Sequence, residues 1–135
     1  MSNVKLGQRS IDRLNTVHPD LQKVIYKAFE SMPFDVTVLE GVRSVEQQKA
    51  NVAKGVSQTM NSKHLKQADG YSHAVDIAPY PVDWNNKSRF NQQAEIVMNA
   101  AKELGIKVRW GGDWNRNGDW RDEKFYDGPH FELDR

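Results

Sequence analysis

The chain contains no cysteine. That absence excludes a disulfide framework, thiolate zinc sites and a cysteine nucleophile, so any metal must be held by histidines and carboxylates. Long hydrophobic runs are missing as well. The opening MSNVKLGQRSIDRLN offers nothing resembling a signal peptide or a membrane span, and a protein made in a cytoplasm, without membrane insertion, is expected. Nor is there an excess of one charge: 19 Lys and Arg stand against 18 Asp and Glu, a balance that speaks against nucleic acid as the main partner. No HExxH helix occurs, which rules out the helical zincin arrangement.

What is present is enough for one core. A chain of 135 residues with 38% hydrophobic side chains can bury most of a single hydrophobic interior without staples or an obligatory partner, so one domain over residues 1–135 and a monomer are expected. Leu21, Val24, Ile25, Ala28, Phe29 and Met32 follow the spacing of an amphipathic helix, with Pro19 in its first turn and Pro33 just beyond its end. Phe34, Val36 and Val38 alternate with Asp35, Thr37 and Leu39 as a strand that Gly41 ends. SVEQQKANVAKG reads as a short helix capped by Ser44, HAVDIAP as a second strand, and Phe90, Ala94, Val97, Ala101 and Leu104 as one face of a long helix stopped at Gly105. IKVRW and HFEL supply two more strands. Helices and short strands interleave without a regular repeat, which predicts an α+β fold with a small, mainly antiparallel sheet.

Three candidate metal ligands lie at or beside predicted strands: His64, Asp76 and His130. Two imidazoles and one carboxylate, with a further position left to water, make the usual donor set of a catalytic zinc. His73 competes as a ligand, but alternation along a strand sets it with Val75 and Ile77, on the face opposite Asp76. Asp127 precedes His130 by a Gly-Pro turn that can fold its carboxylate back toward whatever His130 holds. A carboxylate in that position can take a proton from an activated water and pass it on; the alternative is an ordinary turn aspartate.

The blocks SKH, HAVDIAPYPVDW and YDGPHFEL, together with GVRS and GGDWNRNGD, resemble the zinc-dependent peptidoglycan peptidases of the Hedgehog/DD-peptidase fold. In particular they resemble the small phage endolysins that act as L-alanyl-D-glutamate endopeptidases. The resemblance implies zinc on His64, Asp76 and His130, Asp127 as the catalytic acid/base, and Arg43 facing the substrate. It also implies the peptidoglycan stem peptide as substrate and action on the cell wall after release from the host cytoplasm. KQADGY, between the first two ligands, reads as an inserted loop turning at Asp69-Gly70 and leaves His73 as the alternative first ligand. A D-alanyl-D-alanine carboxypeptidase, or a non-catalytic wall-binding module, are the competing functions.

A second metal is suggested by DWNRNGDWRDE. Asp113, Asn115, Asn117 and Asp119, with Gly118 at the sixth place, follow the spacing of an EF-hand loop, and such oxygen donors select calcium. The twelfth position, where the motif has Glu, holds Lys124, with Asp122 and Glu123 slightly early. The alternative is an Asx-rich surface turn.

Overall fold

A computed structural model describes residues 4–54, 63–112 and 127–134. The described elements in chain order are α1 (Gln8–Leu14), α2 (Pro19–Glu30), β1 (Asp35–Glu40), α3 (Val45–Ala53), β2 (Ala74–Tyr80), α4 (Lys87–Leu104), β3 (Val108–Trp110) and β4 (His130–Leu133). The strands form one sheet in the order β1-β2-β4-β3, antiparallel at each pairing, as the α+β reading expects.

Strand alternation divides the sheet into two chemically different faces. Val75, Ile77, Phe131 and Leu133 join Leu21, Val24 and Ile25 of α2 and Ala94, Val97 and Ala101 of α4 in one core. Each large apolar side chain so buried contributes about 1.5–3 kcal/mol. Asp76, His130 and Glu132 alternate with these residues and are therefore directed to the opposite face. Because β2 is interior to the sheet, that polar face is built on backbone paired on both sides.

A bulge adjusts the edge. Val38 pairs with Ile77, but the register then shifts so that Glu40, rather than Leu39, lies opposite Asp76. The extra residue exchanges an apolar side chain for a carboxylate beside the polar cluster. Asp76 in turn pairs with His130, so Glu40, Asp76 and His130 form a row across three strands.

One helix lies outside the sequence reading, and one expectation needs correction. Helix α1 was not anticipated: it starts at Gly7 without a side-chain cap and buries only Ser10 and Leu14, too little to leave an apolar period. His73 precedes β2 instead of opening it, and its ring does not join Val75 and Ile77 on the core face but hydrogen-bonds to Asp69. The KQADGY segment does fold as a tight excursion: Gln67 N–H donates to the Tyr71 carbonyl at 2.9 Å, and Gly70 sits at φ 88°, where a side chain would be strained.

Candidate metal centre and active site

His64 reaches the polar face from a loop, and backbone contacts hold it there. Its carbonyl accepts from Arg43 N–H at 2.7 Å, and the neighbouring Lys63 carbonyl accepts from His73 N–H at 2.8 Å. The residue is only 1% exposed. Its Nδ1–H donates to the Gly41 carbonyl at 2.8 Å, which turns Nε2 toward the sheet. Gly41 must be glycine for this: a Cβ there would stand 2.3 Å from both the Arg13 carbonyl oxygen and Thr16 Oγ1. Helix α1, which carries Arg13, thus presses the end of β1 into the place where its carbonyl can orient His64.

His64 Nε2 lies 3.1 Å from Asp76 Oδ1 and 3.2 Å from His130 Nδ1, and the last two atoms are 3.1 Å apart. The other nitrogen of His130, Nε2, donates to Glu132 Oε1 at 2.8 Å. With the outward nitrogen of each ring engaged as a donor, the neutral tautomers point two nitrogen lone pairs and a carboxylate oxygen at one another. Three acceptors converge only around something positive, a proton or a metal ion. Donor atoms around a tetrahedral zinc, with bonds of about 2.0–2.1 Å, stand roughly 3.3 Å apart, close to the spacing found. This buried group can hold a metal ion.

The electrostatics point the same way. Burial alone would lower the His130 pKa, but hydrogen bonds to Asp76 and Glu132 push it up to about 10. Burial alone would likewise raise the Asp76 carboxyl, yet the charges and hydrogen bonds of His64 and His130 hold it well below the usual carboxylate range. Glu132 is lowered against burial by His130, Lys63 and Arg109. The field that draws a proton onto His130 draws a dication more strongly.

Asp127 is brought to this group by a turn in which His130 N–H donates to the Asp127 carbonyl at 3.1 Å. Trp110 Nε1–H donates to the intervening Gly128 carbonyl at 2.8 Å, so the tryptophan at the end of β3 clamps the turn as well as packing against the core. Gly111 follows it, and a Cβ there would meet the Asp127 carbonyl oxygen at 2.4 Å and the His130 Cβ at 3.0 Å. Burial pushes the Asp127 carboxyl up to about 6; the Asp76 charge adds to the shift, while His130, His64 and Arg43 oppose it.

Arg43 lies at the exit of β1, as the sequence suggests, but its fork is engaged. Nε donates to Glu40 Oε1 at 2.7 Å and Nη1 to Gln48 Oε1 at 2.6 Å, and Nη2 also pairs with Glu40. Glu40 and Glu132 were missed in the sequence. Alternation could have found Glu132, which stands two residues after His130 on the same face of HFEL; nothing local signals the bulge that delivers Glu40. Asp113, Asn115, Asn117, Asp119 and Asp122, the candidate calcium ligands, lie outside the described residues.

A model of the phage L-alanyl-D-glutamate peptidase family matches residues 1–134. The chain is 42% identical over 135 residues to the L-alanyl-D-glutamate peptidase of Escherichia phage T5, which covers 96% of this chain and 97% of that protein. It is 35% identical over 107 residues to the L-alanyl-D-glutamate peptidase of Listeria phage A118, covering 77% of this chain and 32% of that longer protein. Among solved structures, the Serratia marcescens L-Ala D-Glu endopeptidase ChiX superposes with a TM-score of 0.78 at 38% identity, over 96% of this chain and 90% of that one. With a full-length family match and a full-length relative behind it, the chain belongs to the phage L-alanyl-D-glutamate peptidases.

Proposed function

We propose that the chain is a zinc-dependent endopeptidase that hydrolyses the L-alanyl-D-glutamyl amide of the peptidoglycan stem peptide, as a phage endolysin acting on the host cell wall. The observation that carries this reading is the closed triangle of His64 Nε2, Asp76 Oδ1 and His130 Nδ1, each edge 3.1–3.2 Å, in a chain of that family.

His64, Asp76 and His130 would hold a zinc ion, which would supply Lewis acidity toward a water and the scissile carbonyl. The chain's own groups do the rest. Asp127, with its carboxyl near neutrality, takes the proton of the attacking water and returns it to the leaving amine. Gly41 and Glu132 keep the two rings from rotating. Arg43, held by Glu40 and Gln48, presents a rigid positive group toward the substrate's carbonyl or carboxylate. From residue spacing alone, Asp113, Asn115, Asn117, Asp119 and Asp122 are the oxygen donors a calcium ion would take.

Digestion of purified muropeptides followed by mass spectrometry tests the reading. The expected products are cut between L-alanine and D-glutamate, with cleavage abolished by a chelator and restored by zinc. Release of a terminal D-alanine, or no cleavage by the zinc-loaded protein, would overturn it.

A further inference from the structure

Among the described residues a second group of metal-ligating side chains stands apart from the first. His18, Asp69 and His73 each bring one ligand atom within 4.8 Å of the others. They come from separate places: His18 precedes α2, Asp69 lies in the turn of the excursion 65–72, and His73 follows that excursion. Asp69 Oδ2 is 2.7 Å from His73 Nε2 and 3.6 Å from His18 Nε2, and the two imidazoles stand edge to face with centroids 5.2 Å apart.

We propose that His18 Nε2, Asp69 Oδ2 and His73 Nε2 form a second metal site for a borderline divalent transition ion such as zinc or nickel. Two imidazoles and a carboxylate are the donors such ions prefer. The three side chains are 18%, 37% and 15% exposed, which leaves the remaining coordination positions to water.

The backbone holds the donors in place before any ion arrives. His18 N–H donates to the Ser72 carbonyl and Ser72 N–H to the Thr16 carbonyl, both at 2.9 Å, so the strand-like segment carrying His73 is tied to the start of α2. Tyr71 N–H donates to Asp69 Oδ1 at 3.0 Å, which leaves Oδ2 as the oxygen directed at both rings. The site therefore uses the inserted excursion itself, and an ion there would lock that segment against the α1–α2 junction.

Proton bookkeeping makes a specific demand. His18 Nδ1 accepts the Asp20 N–H at 3.0 Å as the cap of α2, so in the metal-free neutral ring the proton is on Nε2. An ion bound by both rings displaces to Nδ1 of His73 the Nε2 proton that Asp69 accepts, and at His18 it moves the proton to Nδ1 at the cost of the Asp20 cap bond. At His18 Nδ1 the proton would face the Asp20 carboxylate, whose Oδ2 lies 4.0 Å away and would have to close in to complete the carboxylate–histidine–metal arrangement that stabilises ligating imidazoles. Occupancy of the site must therefore be felt at the Asp20 amide.

The full chain, free of any affinity tag, is dialysed against micromolar free zinc and its metal counted by mass spectrometry. Two ions per chain are expected for the unmodified protein. One is expected for His73→Ala and for Asp69→Asn, both retaining peptidase activity, and one for His64→Ala, which keeps the second site. Nitrogen-edited NMR should show the Asp20 amide shifting as the second equivalent is added to the unmodified protein, and not in Asp69→Asn. No ion in His64→Ala, or a second ion that survives both His73→Ala and Asp69→Asn, would refute the site whatever the fate of the catalytic reading.

Discussion

Asp76 and His130 face each other across the antiparallel pairing of β2 and β4, with Asp76 Oδ1 3.1 Å from His130 Nδ1. Two of the three candidate ligands are thus set by a backbone ladder, and only His64 depends on a loop. Replacing His64 or His130 with Ala should abolish both activity and the ion that supports it, whereas His73→Ala should keep that ion, because the His73 ring is committed to Asp69 at 2.7 Å. Metal analysis alongside muropeptide cleavage decides. A His73 variant without activity-supporting metal, beside a His64 variant that retains it, would reverse the assignment.

Glu132 should act through His130. It is buried, accepts the His130 Nε2–H at 2.8 Å, and is itself steadied by Lys63 at 3.8 Å and Arg109 at 3.9 Å. Glu132→Gln keeps the shape and removes the charge, and zinc affinity should fall about 10- to 100-fold, as is usual when the partner of a ligating histidine is lost. Competition with a chromogenic chelator measures this directly. Unchanged affinity would reduce Glu132 to a packing residue.

The parts of this arrangement that were legible in the sequence are those governed by short periods. Strand alternation separated Asp76 from Val75 and Ile77 beside it, and helical spacing exposed α2 and α4. What escaped depends on contacts between distant segments. Helix α1 has little buried apolar surface of its own, yet it presses on Gly41 and so aims His64. The bulge after Val38 is a property of how β1 meets β2 and not of β1 alone. Arg43 was recognised by its place in GVRS, but its engagement by Glu40 and Gln48 follows from that bulge and from α3, neither of which fixes a pattern within the motif.

Gly111 marks where β3 and the Asp127–His130 turn come closest. In Gly111→Ala the added carbon would stand 2.4 Å from the Asp127 carbonyl oxygen and 2.9 Å from its Cβ, so the turn must move. Such overpacking costs about 1–3 kcal/mol, readable as a lowered urea midpoint. Turnover should fall in the folded variant too, because the displaced turn carries Asp127. Gly7→Ala is the control, since a Cβ there meets nothing within 4 Å. Equal stability and turnover for both variants would show that the turn yields freely.

Asp127 provides the sharpest test of chemistry as distinct from structure. Its backbone makes the turn: the N–H donates to the Gly111 carbonyl at 2.9 Å and the carbonyl accepts from His130 N–H at 3.1 Å. Asp127→Asn leaves both bonds in place and alters only the side chain. In the native protein burial, reinforced by the Asp76 charge, pushes that carboxyl up to about 6, so near neutral pH it is ionised enough to accept a proton and acidic enough to give it back. An amide can do neither. The variant should fold, bind zinc as the unmodified protein does, and lose about 100- to 10,000-fold in turnover, the range that general acid–base groups contribute. Stopped muropeptide digests with metal occupancy measured on the same samples provide the comparison, and near-native turnover at full occupancy would mean that another group carries the proton.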